Sequence, residues 1–257
     1  MTDGTDQAGI HRGKVAVITG GGRGFGKAFG AALAARGAHV VLADIDGAAA
    51  AAAAAEIAGK GGSASGTACD VADEAGVAAM VGEVAAEHGG IDILVNNAGL
   101  HSAAYNKPSA ELGIPGLRRL FDVNVMGVYI CSLAAVGAMR GRDGAAIVNI
   151  SSSAAYANRA AYGVSKLAVR GVTAQLAREF AADGIRVNAI APGLIFTDTI
   201  RAEMPRDEVA RVMGQQILQR EGEERDIVDA LLFLVSPQAS FVTGETLRVT
   251  GGFGLSV

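Results

Sequence analysis

The chain has no tryptophan, two cysteines, five prolines and four histidines in 257 residues. Two cysteines, Cys69 and Cys131, cannot build the dense disulfide framework of a small secreted scaffold, and their spacing is not that of a metal site. Both lie in apolar stretches and are expected to be buried free thiols, which fits a reducing cytoplasm. With so few histidines, and no carboxylate in a partnering pattern beside His101, nothing points to a metal centre. An excess of positive charge is also missing. The 22 basic and 26 acidic residues are scattered and give a net charge of −4, so there is no footprint for nucleic acid or an anionic membrane, and a small uncharged molecule is the expected partner. The longest uncharged stretch, residues 123–139, is shorter than a typical membrane span and carries Asn124 and Ser132, so it reads as a buried helix. The first residues are polar with no apolar signal core. Residues 1–12 are expected to form a disordered or loosely packed leader to one domain over 13–257.

Glycine and alanine are what the chain has in abundance. Glycine is 36 of 257, about twice ordinary usage, while half of the residues are hydrophobic, which describes a packed globule with many tight turns. Runs rich in valine and isoleucine recur at 15–19, 40–43, 91–95, 146–150, 186–190 and 246–249, with a weaker one at 63–69. Helical patterns fall between them, at 26–36, 47–58, 74–88, 115–139, 160–182 and 225–235. The polyalanine stretch 48–55 suits a thin-sided helix packed on a sheet. Strands alternating with helices imply right-handed crossovers, hence a single α/β domain with a three-layer, doubly wound parallel sheet of about seven strands. Residues 194–219 show no clear pattern and are expected to cover the site.

The first strand runs directly into Gly20-Gly21-Gly22-Arg23-Gly24-Phe25-Gly26 and then a helix. Glycines there permit positive φ and let a pyrophosphate approach the backbone at the helix start. The second strand ends at Asp44, eighteen residues beyond Gly26, where a carboxylate can accept from both ribose hydroxyls and repel a 2′-phosphate. Tyr162 and Lys166 are four apart on a helical pattern and share a face, so an ammonium can lower a phenol whose free pKa, near 10, is too high for a base at neutral pH. Asn124 is an amide in an apolar helix, expensive unless hydrogen-bonded.

The spacing of Gly20, Gly24 and Gly26, with Asn96-Asn97-Ala98-Gly99, Tyr162-x-x-x-Lys166 and Pro192-Gly193 in that order, resembles the short-chain dehydrogenase/reductase family. The resemblance covers essentially residues 14–252. It implies a Rossmann-fold oxidoreductase that moves a hydride between a secondary alcohol and NAD(H). Tyr162 would be the acid/base, and Lys166 would lower its pKa and grip the nicotinamide ribose. Ser152 would orient the substrate oxygen, with Ser151 and Ser153 as alternatives, and Asn124 would keep a water near the lysine. Cofactor contacts would come from Gly20, Arg23, Gly24, Phe25, Gly26, Asp44 and Ile45. Asp70 and Val71 would lie along adenine, and Asn97, Ala98 and Gly99 beside the adenosine ribose. Pro192, Gly193, Ile195 and Thr197 would hold the carboxamide end. A homo-oligomer, most simply a tetramer, is expected from the apolar helix at 125–139. The rival readings are an NADP(H)-dependent ketone or 3-oxoacyl reductase, supported by Arg23, and a dinucleotide-binding regulator without turnover. Against the family pattern, residues 100–117 look longer and residues 152–162 shorter. His101 or Tyr105 is therefore expected to lean towards the substrate's distal end, opposite Tyr156, Asn158 and Arg159.

Overall fold

A computed structural model describes residues 9–101, 104–105, 107–157, 160–197, 204 and 206–254. Leader residues 1–8, Asn106, Asn158, Arg159 and residues 198–203 and 205 of the covering segment lie outside the described residues.

Seven parallel strands form one sheet in the order β3-β2-β1-β4-β5-β6-β7. They are β1 (Val15–Thr19), β2 (His39–Asp44), β3 (Ser63–Ala68), β4 (Ile93–Asn96), β5 (Ala146–Ile150), β6 (Arg186–Pro192) and β7 (Thr246–Val249). The register pairs Val17 with both Val41 and Leu94, so β1 is central, and every residue of β1, β4 and β5 is buried as their unbroken apolar runs require. The edge strand β3 is partly buried only at Ala64 and Thr67 and exposed elsewhere, which explains its weak signal. The chain reverses direction in the sheet order between β1 and β4, and the crevice at the carboxyl ends of such strands is where ligands bind in this architecture.

Helices α1 (Gly24–Ala34), α2 (Gly47–Gly59) and α9 (Glu224–Leu234) cover one face, with Phe29, Leu33, Ile57 and Leu231 in the core there. The polyalanine of α2 is helical, capped by the Asp46 carboxylate, which accepts from the Ala49 amide, and it buries Ala50, Ala53 and Ala54 against the sheet. The opposite face is covered by α3 (Glu74–His88), α5 (Gly127–Met139) and α7 (Ala161–Glu179), around a core containing Val77, Cys131 and Leu176. Both cysteines are buried free thiols, and burial pushes Cys131 up to about 12. The short α6 (Ala154–Ala157) precedes α7, and α8 (Arg206–Met213) lies in the covering segment.

Two expectations are corrected. The helix expected over 115–139 is present but begins earlier and is not uniform: α4 (Ser109–Phe121) passes through a π-helical turn at Asp122–Met126 into α5. Within α4 the backbone breaks at Gly113, with φ 62°, and resumes regular helix beside Pro115, whose fixed φ suits a first turn. By length and composition the Ser109–Met139 run could span a membrane, yet half of its apolar window is buried within the domain. The second correction concerns the leader, whose residues 9–12 are folded: the His11 amide donates to the Arg36 carbonyl at 3.1 Å, and His11 is only 3 % exposed.

Candidate active site

A cleft of about 1300 Å³ opens along the carboxyl ends of the strands. Its glycine-loop end is shaped by atoms that glycines lack. Gly20 has φ 63°, and a Cβ on it would stand 2.9 Å from the Ala98 Cα; on Gly26 a Cβ would come within 2.1 Å of the Gly20 carbonyl oxygen. Gly26 therefore packs α1 against the loop and, unlike Gly20, Arg23, Gly24 and Phe25, does not line the cleft itself. Gly24 lines the cleft with φ 50°, and the place of its missing Cβ is open. Helix α1 begins with neither a side-chain cap nor an acidic residue in its first turn, which leaves its amides to an anion. The Asn97 amide group donates to the carbonyls of Thr19, at 3.0 Å, and Gly20, at 2.9 Å. The Thr19 hydroxyl accepts from the Asn97 and Ala98 amides, a brace between the β1 and β4 loops that sequence reasoning missed.

At the tip of β2, Asp44 accepts from the Gly22 amide at 2.9 Å and the Asp46 amide at 3.0 Å. Each carboxylate oxygen keeps a further acceptor site. Asp46, not Asp44, caps α2. Ile45 beside it is 67 % exposed and lines the cleft, an apolar surface suited to a flat base. Asp70 and Val71 line the same end, and Arg119 of α4, absent from the expected set, donates to Asp70 at 3.2 Å. Together the open loop, the anchored carboxylate and the exposed Ile45 fit a dinucleotide.

At the other end, Ser151 is buried and donates to the Lys166 carbonyl at 2.8 Å, whereas Ser152 lines the cleft with Tyr162 and its hydroxyl accepts from the Ala154 amide at 3.1 Å. Of the three serines it is Ser152 whose side chain holds the Tyr162 phenol down against the effect of burial. The Ser153 amide donates to the Pro192 carbonyl, tying this loop to β6, while the Gly193 amide donates to Val249. Gly193 must be glycine, because a Cβ would stand 2.7 Å from the Thr250 Cα. Ile195 pairs with Gly222 as an isolated bridge, the Thr197 amide turns back to the Ile195 carbonyl, and both line the cleft.

Lys166 is 4 % exposed and its ammonium donates to the Ile150 carbonyl at 2.8 Å. It lies 6.0 Å from the Tyr162 ring centroid. Burial lowers Lys166 to about 8, so the ammonium is still the majority form at neutral pH. The expected lowering of Tyr162 by this charge does not appear among the side chains alone. Burial holds the phenol above its ordinary value, partly offset by Ser152, because the ammonium is turned towards Ile150.

Asn124 sits in the π-helical turn behind the cleft wall, 1 % exposed. Its carbonyl accepts from the Leu100 amide at 2.7 Å, and its amide donates to the Leu100 carbonyl and the Ser165 hydroxyl. A Cβ on Gly99 would stand 3.2 Å from the lysine ammonium nitrogen and 3.3 Å from the Asn124 carbonyl oxygen, so glycine allows both to approach the same backbone. Beneath lies a buried relay that sequence reasoning did not assign: the Asn96 amide donates to Asn149 and Ser132, and the Asn149 amide to Thr173. His101 lines the cleft edge-on to Tyr162, with ring centroids 6.2 Å apart, while Tyr105 is not among the lining residues.

A family model described as enoyl-(acyl carrier protein) reductase matches residues 20–254. An uncharacterised oxidoreductase of Mycobacterium tuberculosis is 41 % identical, over 93 % of this chain and 96 % of its own. The cis-4-hydroxycyclohexanecarboxylate dehydrogenase of Sinomonas cyclohexanicum is 39 % identical over the same shares. The 7α-hydroxysteroid dehydrogenase of Escherichia coli is 35 % identical, over 93 % and 94 %. Among solved structures, a putative D-mannonate oxidoreductase from Haemophilus influenza with bound NAD superposes with TM-score 0.90 at 28 % identity, covering 97 % and 98 % of the two chains. A blue fluorescent protein from a metagenomic library in complex with NADPH gives 0.86 at 35 %, covering 96 % and 100 %.

Proposed function

This chain belongs to the short-chain dehydrogenase/reductase family of oxidoreductases, and we propose that it interconverts a secondary alcohol and a ketone with NAD(H), Tyr162 acting as the acid/base. The observation that carries this reading is that Ser152, Tyr162 and Lys166 line one cleft, with the Lys166 ammonium 6.0 Å from the Tyr162 ring centroid. The dinucleotide, when bound, supplies the hydride acceptor or donor. Ser152 orients and polarises the substrate oxygen, and Tyr162 takes or returns its proton. Lys166 holds positive charge close to that phenol, and Asn124 fixes the Leu100 backbone and Ser165 around it. The fold's contribution is positioning, since the groups come from the loop after β5, the π turn and α7.

NAD over NADP is supported by Asp44, anchored at the cleft rim where a 2′-phosphate would meet its charge. Arg23 also lines the cleft, and it favours the second reading, use of NADP(H). A small-molecule alcohol or ketone is the partner. A homo-oligomer, most simply a tetramer in a reducing cytoplasm, is supported by the exposed apolar side chains of Met126, Leu133, Val164 and Leu167.

The test is a panel of cyclic secondary alcohols with NAD, followed through NADH absorbance, for the wild type and Tyr162→Phe. Tyr162→Phe is expected to lower kcat at least a hundredfold while the Kd for NADH, read by fluorescence, stays within twofold. Oxidation should accelerate as pH rises from 6 towards about 8, because a phenol raised above its ordinary value must lose its proton to act as base, and should gain less above about 8, where Lys166 loses its charge. A variant retaining a tenth of wild-type kcat would overturn the assignment of Tyr162.

A further inference from the structure

Beyond β7 the chain makes a turn, residues 250–254, with sequence Thr-Gly-Gly-Phe-Gly. Gly251, Gly252 and Gly254 have φ of 59°, 83° and 62°, a backbone that only glycine adopts without strain. This turn holds two separate pieces of the chain. The Gly251 carbonyl accepts from the amides of both Ile217 and Leu218 at 2.9 Å, fixing the end of the segment over the cleft. Gly252 lies so close to Ile217 that a Cβ would stand 2.8 Å from the Ile217 Cβ. On its other side the Arg248 guanidinium donates to the carbonyls of Phe253, at 2.8 Å, and Gly254. The same guanidinium lies 4.1 Å from the ring centroid of Tyr156, and Arg170 lies at 4.1 Å as well. Both guanidinium groups thus lie over the Tyr156 ring.

Tyr156 belongs to α6, whose first amide, that of Ala154, is capped by the Ser152 hydroxyl at 3.1 Å. A continuous set of contacts thus runs from Ser152 through Tyr156 and Arg248 to the turn and on to Ile217. Phe253, the one large side chain of the turn, lines the cleft together with Ala157, Leu194, Met204 and Val212.

We propose that this turn is a clasp that sets the shape of the substrate end, with Phe253 as a specificity-determining wall for a bulky, apolar alicyclic alcohol and the Tyr156–Arg248 stack as its positioning device. The substrate class rests on the alcohol/ketone reading above; the clasp itself does not. An apolar wall gains by burying hydrocarbon and offers a polyol nothing for the water it would displace. Phe253 therefore favours ring-bearing substrates, whereas a three-carbon alcohol held at Ser152 and Tyr162 has no body to lay against it.

Two measurements test this. Hydrogen exchange at the Ile217 and Leu218 amides is expected to speed up at least tenfold in Tyr156→Ala and Arg248→Ala and to stay within twofold in Tyr156→Phe, which keeps the ring. Should Tyr156→Ala fail to fold, Arg248→Lys, which keeps the charge but loses the planar stack, is read the same way. Unchanged exchange overturns the clasp. In kinetics with NAD, Phe253→Ala is expected to raise KM for a 3α-hydroxysteroid at least tenfold and to change kcat/KM for 2-propanol less than twofold, with the KM for NAD constant. Equal effects on the two alcohols overturn the wall. If wild-type protein oxidises neither probe, the wall and its substrate class fall with the alcohol reading, while the exchange result still decides the clasp.

Discussion

At the amino end of the sheet the buried carboxylate of Asp92 receives the Val15 amide at 2.8 Å, the Arg142 guanidinium at 2.7 Å and the Lys14 ammonium at 3.2 Å. At the carboxyl end the buried ammonium of Lys166 donates to a neutral group, the Ile150 carbonyl, at 2.8 Å. Both are charges taken out of water in one sheet and both titrate below their ordinary values, but the shift favours the charged form of Asp92 and disfavours that of Lys166. Burial alone would raise Asp92, yet Arg142, the Val15 amide and Lys14 hold it below the ordinary carboxylate value. Burial lowers Lys166 to about 8. The first arrangement ties β1 to β4 and to the approach to β5; the second keeps a positive charge at a place where chemistry needs one. Stability is built in at one end and spent at the other.

Removing each charge should break the symmetry of that comparison. Asp92→Ala leaves Lys14 and Arg142 partly buried without their partner and is expected to cost about 3 kcal/mol in urea unfolding, the lower part of the range for such losses. Because Asp92 is depressed in the folded state, its contribution is complete above about 4 and fades as pH falls below that, towards its folded pKa. Activity at neutral pH should change less than twofold. If Asp92→Ala unfolds at the wild-type urea concentration, the amino end is not a structural lock.

Lys166→Met should do the reverse. A fall from 10.5 to about 8 corresponds to about 3 kcal/mol of instability carried by the folded chain. The folded pKa lies below the unfolded one, so that cost is complete below about 8 and fades as pH rises to 10.5. The variant is therefore expected to be more stable than wild type at pH 7, by up to about 3 kcal/mol, with the gain gone near pH 10.5 and turnover lost. Equal or lower stability at pH 7 would mean that the Ile150 carbonyl already compensates the ammonium.

Asp44→Ala sharpens the comparison within the carboxyl end itself. Asp44 is held by two backbone amides but faces the cleft, so its loss is expected to shift the ratio of kcat/KM for NAD over NADP by about tenfold, roughly 1.4 kcal/mol, with little effect on stability. Wild-type protein with equal kcat/KM for the two cofactors would pass the deciding role to Arg23.

The two ends also differ in how far the sequence discloses them. Strand positions, the glycine loop, Asp44 at a strand end and the four-residue spacing of Tyr162 and Lys166 are local patterns, and the fold places them accordingly. The choice among Ser151, Ser152 and Ser153 depends on which side chain turns towards a tyrosine about ten residues further on, which periodicity does not encode. Asp92, Thr19, Arg119 and Phe253 act across separations of up to about eighty residues or line a surface made by several elements, so nothing in their neighbours' sequence marks them. The π turn at Asp122–Met126 was hidden for a different reason: its composition is that of an ordinary apolar helix, and only tertiary contacts to Leu100 and Ser165 reveal what Asn124 is for.

The smallest expected effect concerns the long stretch after β4. The sequence offered His101 and Tyr105 equally as substrate contacts; the structure separates them. His101 meets the Tyr162 ring edge-on and lines the cleft, whereas Tyr105 does not line it. That position, beside the phenol proposed to move the proton, puts His101 where a substrate would lie. His101→Ala is expected to change substrate KM or kcat by about tenfold, roughly 1.4 kcal/mol, with the KM for NAD unchanged, while Tyr105→Ala moves neither by more than twofold. An equal response from the two variants would return both residues to the surface. A response in the KM for NAD alone would place His101 with the cofactor.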